Sequence, residues 1–160
     1  GMSTATGAAL GNKIVGRDNH VFVFVGGGEA DEGQVWEAAQ FAVHYQLDNL
    51  VCFVDDNKYQ LDGACETVMK HANGIGAKFA AFGWNVVECA DGNDVEQIYD
   101  AIQNAYATKG VPTCIVLHTV KGKGATFADG TGAHSSQPSK EQWDEAIAFA
   151  EKQLAEIKAQ

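Results

Sequence analysis

Three consecutive glycines, Gly26, Gly27 and Gly28, follow directly on the unbroken apolar run VFVFV at residues 21–25. A β-branched and aromatic run with no polar alternation reads as a strand buried on both faces. Glu29, Asp31 and Glu32 come next, and then an amphipathic stretch from Glu32 to about Gln46. Val35, Ala39, Ala42 and Val43 share one helical face there, and Trp36 and Phe41 widen it. So wide a stripe predicts burial on more than one side. A second apolar run, residues 49–54, ends on Asp55, Asp56 and Asn57. Strand, glycine turn, helix and strand make one βαβ unit. Its two loops emerge at the carboxyl ends of two strands, the edge of an open α/β sheet where ligands sit.

Glycine lets the backbone adopt positive φ and approach a ligand closely. The start of the following helix offers unpaired N–H groups that suit a phosphate. Asp31 with Gln34 three residues on predicts a capping-box-like helix start. A tight strand-to-helix turn with no ligand accounts for the glycines equally well. The acidic cluster adds a constraint: Glu29, Asp31 and Glu32 repel a diphosphate unless a divalent cation bridges them.

The 160 residues suffice for one domain with a real core, and 46% of them are apolar, as in globular chains. The net charge of −10 argues against nucleic acid and anionic membranes as partners. No apolar run is long enough to span a bilayer, and no secretory signal is visible. Cys52, Cys89 and Cys114 lie in apolar strand patterns and read as small buried hydrophobes. With Cys65 they form no CxxC pair, so a zinc site is not expected, and reduced thiols fit a cytoplasmic location.

Around the central unit, residues 4–15 read as an Ala-rich helix ended by Gly16. His44 at the end of the central helix complements the helix dipole. Residues 65–76 are irregular and rich in small side chains, which predicts a mobile loop over the site or a dimer edge. A short helix over 75–82 is stopped by Gly83, and residues 84–90 form a third strand. Asn93 with Glu96 predicts a cap for a helix placing Val95, Ile98, Tyr99, Ile102 and Tyr106 on one face. Residues 113–119 form a fourth strand, with His118 read as a satisfied buried histidine. The Gly-rich stretch that follows carries Lys121, Lys123 and His134. Ser139, with Gln142 at the third helical position, caps a final helix packed on the sheet through Trp143, Ala146, Ile147, Ala150, Leu154 and Ile157. Strands alternating with helices predict an α/β fold: a parallel sheet with helices on both faces.

The string GGGEADEGQVWEAAQFAVHYQLDNLVCFVDDNKYQLDG resembles the thiamine-diphosphate signature of transketolases, and most of all the separate N-terminal subunit of split transketolases. Gly26, Gly28, Glu32, Gly33, Glu37 and Asn57 match that family's pattern. The resemblance implies the diphosphate-binding domain of the thiamine-diphosphate fold over residues 1–160. It implies Gly26, Gly27, Gly28, Glu29, Asn57 and Leu61 at the cofactor, and Mg²⁺ held by Asn57 and the Tyr59 carbonyl. It places Glu32 and Glu37 in a carboxylate set near a dimer interface that helps activate the cofactor. It gives His134 the part of a loop histidine reaching diphosphate and substrate. One position departs: the family's metal-ligating Asp is Gly27 here. The GMSTA string resembles one well inside the family's subunit, so the domain is expected to be incomplete at its N-terminus.

The activity this implies is transfer of a two-carbon ketol unit between sugar phosphates, dependent on thiamine diphosphate and Mg²⁺. A pyrimidine-binding domain from a C-terminal transketolase subunit would complete the site. Apolar surface left by missing upstream elements implies a homo-oligomer in isolation. Two alternatives stay open. One is a catalytically silent relative that binds a partner or another ligand, favoured by Gly27. The other is a thiamine-diphosphate enzyme with different substrates, such as a deoxyxylulose-phosphate synthase.

Overall fold

The computed structural model describes residues 1–128 and 137–159. Their contacts separate into two units, Gly1–Thr119 and Val120–Gln160. In the first unit the chain runs through helix α1 (Met2–Ile14), strand β1 (Val21–Gly26), a 3-10 turn (Glu29–Asp31) and helix α2 (Gly33–His44). Strand β2 (Leu50–Asp55) leads into a small hairpin, β3 (Tyr59–Gln60) and β4 (Gly63–Ala64). Helices α3 (Cys65–Val68) and α4 (Ile75–Ala81), strand β5 (Asn85–Cys89), helix α5 (Val95–Ala107) and strand β6 (Thr113–Leu117) complete it.

The four long strands lie in the order β1-β2-β6-β5, and every pairing is parallel. After β2 the chain skips one place to β5, then fills the gap with β6. Such crossovers need intervening helices, and these cover both faces of the sheet. On one face Val23, Val25, Cys52, Val54, Cys114 and Val116 pack under α1, α2 and α4. On the other, Val51, Phe53, Cys89, Ile115 and Leu117 pack against Ala101 and Ala105 of α5. The α/β fold with a parallel sheet and helices on both faces is therefore as the sequence predicts.

Phe79 of α4 is the largest fully buried side chain. Its ring lies 5.1 Å from Trp36 and 5.0 Å from Trp84. Both indoles keep a polar partner: Trp36 Nε1 donates to the Ala30 carbonyl and Trp84 Nε1 to the Ala39 carbonyl. Buried tryptophans need such acceptors, so the cluster ties α4 and β5 to α2 in fixed geometry.

Several local expectations change. β1 is buried on one face only, with Phe22 42% and Phe24 65% exposed. It is an edge strand; the buried face of α5 packs on β2, β5 and β6, and its Tyr106 ring comes within 6.3 Å of Phe22. Residue 94, not 93, caps α5: Asp94 Oδ1 accepts from the Glu96 and Gln97 amides, while the Asn93 amide itself donates to Asp91. The face of α5 that packs is Ile98, Ala101, Ile102 and Ala105, whereas Val95 and Tyr99 are exposed.

The second unit contains α6 (Lys140–Lys158). Its Ser139–Gln142 capping box forms as expected. Within this unit Trp143, Ile147, Leu154 and Ile157 are exposed. No helix among the described residues is long and apolar enough to cross a membrane.

Phe79→Ala should cost about 3–5 kcal/mol in urea unfolding, because it empties the centre of the aromatic cluster. Phe24→Ala, at an exposed edge position, should cost under about 1 kcal/mol. A second outcome concerns pH. Burial, with a smaller push from Glu29, drives the Cys52 thiol from 9.0 up to about 12. The unfolded chain releases that proton at lower pH, so this contribution is intact below pH 9 and is lost between pH 9 and about 12. Urea midpoints measured across alkaline pH should fall less steeply in Cys52→Val than in the parent chain.

Candidate active site

The register of β1 with β2 sets Gly26 opposite Asp55, so the two strands end level. Their loops then meet. A Cβ placed on Gly27 would stand 3.4 Å from Cys65 Sγ and 3.9 Å from the Tyr59 carbonyl oxygen. One on Gly28 would touch the Gln60 side chain at 3.5 Å. The glycines do not serve positive φ as their sequence suggests: Gly28 is right-handed at φ −72°, and neither Gly26 nor Gly27 has positive φ. Their small size at a close loop-to-loop approach is what the structure uses.

Asp31 does not cap α2. The N-cap is the next residue, Glu32, and it makes no side-chain cap bond. The intervening 3-10 turn carries Asp31 across to the second loop, where its Oδ2 accepts from Gln60 Nε2 at 2.7 Å. A histidine that sequence reasoning missed completes the link. The His71 side chain is only 6% exposed. Lys78 Nζ donates to its Nδ1 over 2.8 Å. An ammonium can only donate, so Nδ1 is the acceptor and Nε2 carries the proton. That proton points to the Gly27 carbonyl at 3.1 Å, with Asp31 Oδ1 at 3.4 Å. Lys78 also lies 5.4 Å over the Trp36 ring. The segment expected to be a mobile loop is thus partly helical, and it fastens the glycine turn from behind. No sequence pattern flags His71, because its partners come from positions 27, 31 and 78.

On the second loop, Asn57 closes an Asx turn: Oδ1 accepts from the Tyr59 amide and Nδ2 donates to Asp55 Oδ2, both at 2.9 Å. Lys58 takes a left-handed φ of 68°. Asp55 also accepts from the Thr119 hydroxyl, and Asp56 pairs with Lys58 and with His118 Nδ1 at 3.2 Å. His118 Nε2 in turn meets Glu88 at 2.8 Å, so this histidine is satisfied by two carboxylates while remaining partly exposed. Beside the loop lies a cavity of about 320 Å³, lined by Asp56, Lys58, Tyr59, Cys65, Lys70 and His71 among others. Burial, aided by Asp56 and Asp31, raises the Cys65 thiol against a lowering bond from Gln60, so it stands neutral.

Gly26, Gly27, Gly28, Asn57 and Tyr59 are thus brought together. Glu29 turns away, its Oε1 lying 3.9 Å from the Gly1 amine. Glu32 and Glu37 are exposed, Glu37 lining a groove with Ser3, Thr6 and Phe41. Leu61 is 69% exposed at the hairpin tip. His134 lies outside the described residues.

Residues 2–155 match the family model described as transketolase, thiamine diphosphate binding domain. The chain belongs to the transketolase family. It is 39% identical to a 6-deoxy-6-sulfo-D-fructose transketolase subunit of Clostridium sp. (strain MSTE9), covering 97% of this chain and 56% of that protein. It is 35% identical to an apulose-4-phosphate transketolase subunit of Phocaeicola vulgatus, over 92% and 52% of the two chains. The chain therefore spans about half the length of these relatives. Among solved structures, the Campylobacter jejuni transketolase superposes with a TM-score of 0.80 at 25% identity, over 96% of this chain and 24% of that one. A transketolase from Pichia stipitis gives 0.78 at 26%, over 99% and 28%.

A transketolase domain implies thiamine diphosphate and a divalent cation, and this donor set can be tested against them. The oxygen within 4 Å of a Cβ at position 27 is the Tyr59 carbonyl, which is neutral, as is the Asn57 amide of the same loop. Mg²⁺ ordinarily takes one or two carboxylates besides phosphate oxygens. Asp31, Asp55 and Asp56 are each engaged by two partners within the loops. Among the described residues, no three His, Cys, Asp or Glu side chains converge as a metal site. The residues present do not fit a magnesium site of the usual composition.

His71→Ala should lower stability by about 1–3 kcal/mol, since it leaves the Gly27 carbonyl and Lys78 without their shared partner. Hydrogen exchange at the amides of residues 28–31 should quicken in the same variant, and His71→Gln should restore part of the protection.

Proposed function

We propose that this chain is the diphosphate-binding part of a transketolase-type transferase that moves a two-carbon ketol unit between sugar phosphates. The observation that carries this reading is the meeting of the two strand-end loops, Gly27 against Tyr59, at the carboxyl edge of a parallel sheet. Residues 1–160 constitute one diphosphate-binding domain. A pyrimidine-binding domain, supplied by a C-terminal transketolase subunit, completes the site, and the chain self-associates in isolation. Two relatives named as transketolase subunits support a partner chain. Their sugars, one sulfonated and one phosphorylated, support an anionic sugar as substrate.

In this reading Gly26, Gly27, Gly28 and Asn57 face the diphosphate, with Glu29 behind the turn and Leu61 at the hairpin tip packing on the cofactor. Glu32 and Glu37 face the partner, and His134 reaches the substrate. The thiazolium of thiamine diphosphate supplies the carbanion chemistry of this enzyme class. The metal position formed by Asn57 and the Tyr59 carbonyl lacks its carboxylate. That same feature favours a second reading, a catalytically silent relative that keeps the fold for binding or assembly.

A coupled ketol-transfer assay separates the two. The chain is mixed with the C-terminal subunit of a split transketolase, thiamine diphosphate, Mg²⁺, a ketose phosphate donor and an aldose phosphate acceptor. Turnover above that of each chain by itself is expected. Its absence, with a C-terminal subunit that works beside its own N-terminal partner, would favour the silent relative.

A further inference from the structure

We infer that the missing carboxylate at position 27, and no obstacle in the fold, is what keeps this chain from holding a magnesium-bridged diphosphate tightly. This deepens the reading above and rests on it. Three observations carry it. First, the position is still built to receive a side chain. Gly27 has no positive φ, and its Cβ would meet only Cys65 Sγ at 3.4 Å and the Tyr59 carbonyl at 3.9 Å, both ordinary contacts. A carboxylate carried there would start beside the very carbonyl that belongs to the proposed metal site.

Second, the three neighbouring aspartates are already engaged. Asp55 is held by Asn57 and Thr119, Asp56 by Lys58 and His118, and Asp31 by Gln60 and His71. Glu29 points at the start of α1. Recruiting any of the three aspartates breaks a bond that shapes one of the two loops. Third, the element closest to the absent side chain is a neutral, soft thiol: burial raises Cys65, and Mg²⁺ prefers hard oxygen donors. The anionic oxygens directly bound to a dication beside Asn57 and Tyr59 would therefore be those of the diphosphate.

The test is isothermal titration calorimetry on the full chain and on Gly27→Asp and Gly27→Asn. Thiamine diphosphate is titrated with and without MgCl₂, and circular dichroism verifies that each variant is folded. The asparagine matches the aspartate in size and lacks its charge. The expected result is weak binding by the parent and by Gly27→Asn, and at least about 100-fold tighter binding by Gly27→Asp. That is the upper end of what losing a mere supporting partner of a metal ligand does, and the gain should appear only with Mg²⁺. Tight, Mg²⁺-dependent binding by the parent would overturn the inference while leaving the transketolase reading intact. Equal gains in the Asp and Asn variants would also overturn it, since charge would not be the cause. Absence of binding in all three would overturn the inference and the diphosphate reading together.

Discussion

The parallel pairing of β1 with β2 is the constraint on which the rest of the structure depends. Because the two strands run in the same direction and in register, Gly26 and Asp55 end side by side. Both following loops are thus delivered to one edge of the sheet. The helix that makes a parallel connection possible, α2, carries the Trp36 anchor that α4 packs on. The same crossover that joins the strands therefore also positions the element that braces the loops from behind.

What holds those loops is polar and mutual. Gln60 reaches Asp31, and His71 reaches Gly27, with Lys78 setting the tautomer of the ring. Asn57 organises its own turn, and Asp55 and Asp56 are drawn toward residues 118 and 119 at the end of β6. Each bond is modest, but a buried group deprived of its partner is costly, so such networks keep one geometry. The consequence reaches function: the carboxylates that make this edge acidic are spent on shape. Acidity at a strand end and capacity to bind a cation are different properties here.

The core was legible because periodicity and burial go together. Val35, Ala39 and Ala42 of α2 are buried as their spacing requires, and Cys52, Cys89 and Cys114 pack as small hydrophobes. The Ser139 capping box formed because its donors and acceptors lie within three residues. Readings failed where a neighbour distant in sequence decided. Asp31 has a better partner in Gln60 than in its own helix start. Phe22 and Phe24 belong to a strand pattern that looks fully buried, yet they sit on the edge strand, where Tyr106 of α5 covers Phe22 in part and Phe24 stays 65% exposed. His71 carried no local signal, because a histidine amid small residues becomes a brace only when Gly27 and Lys78 arrive around it.

By itself the sequence determined the alternation of strands and helices, the family, and a glycine instead of an acid at position 27, all properties of residue order and identity. Only the tertiary structure decided that the two loops touch, that Gly27 leaves room for a Cβ next to the Tyr59 carbonyl, and that each nearby aspartate is already bound. Those facts depend on strand register and on contacts between residues tens of positions apart, and local chain preferences do not encode such distances.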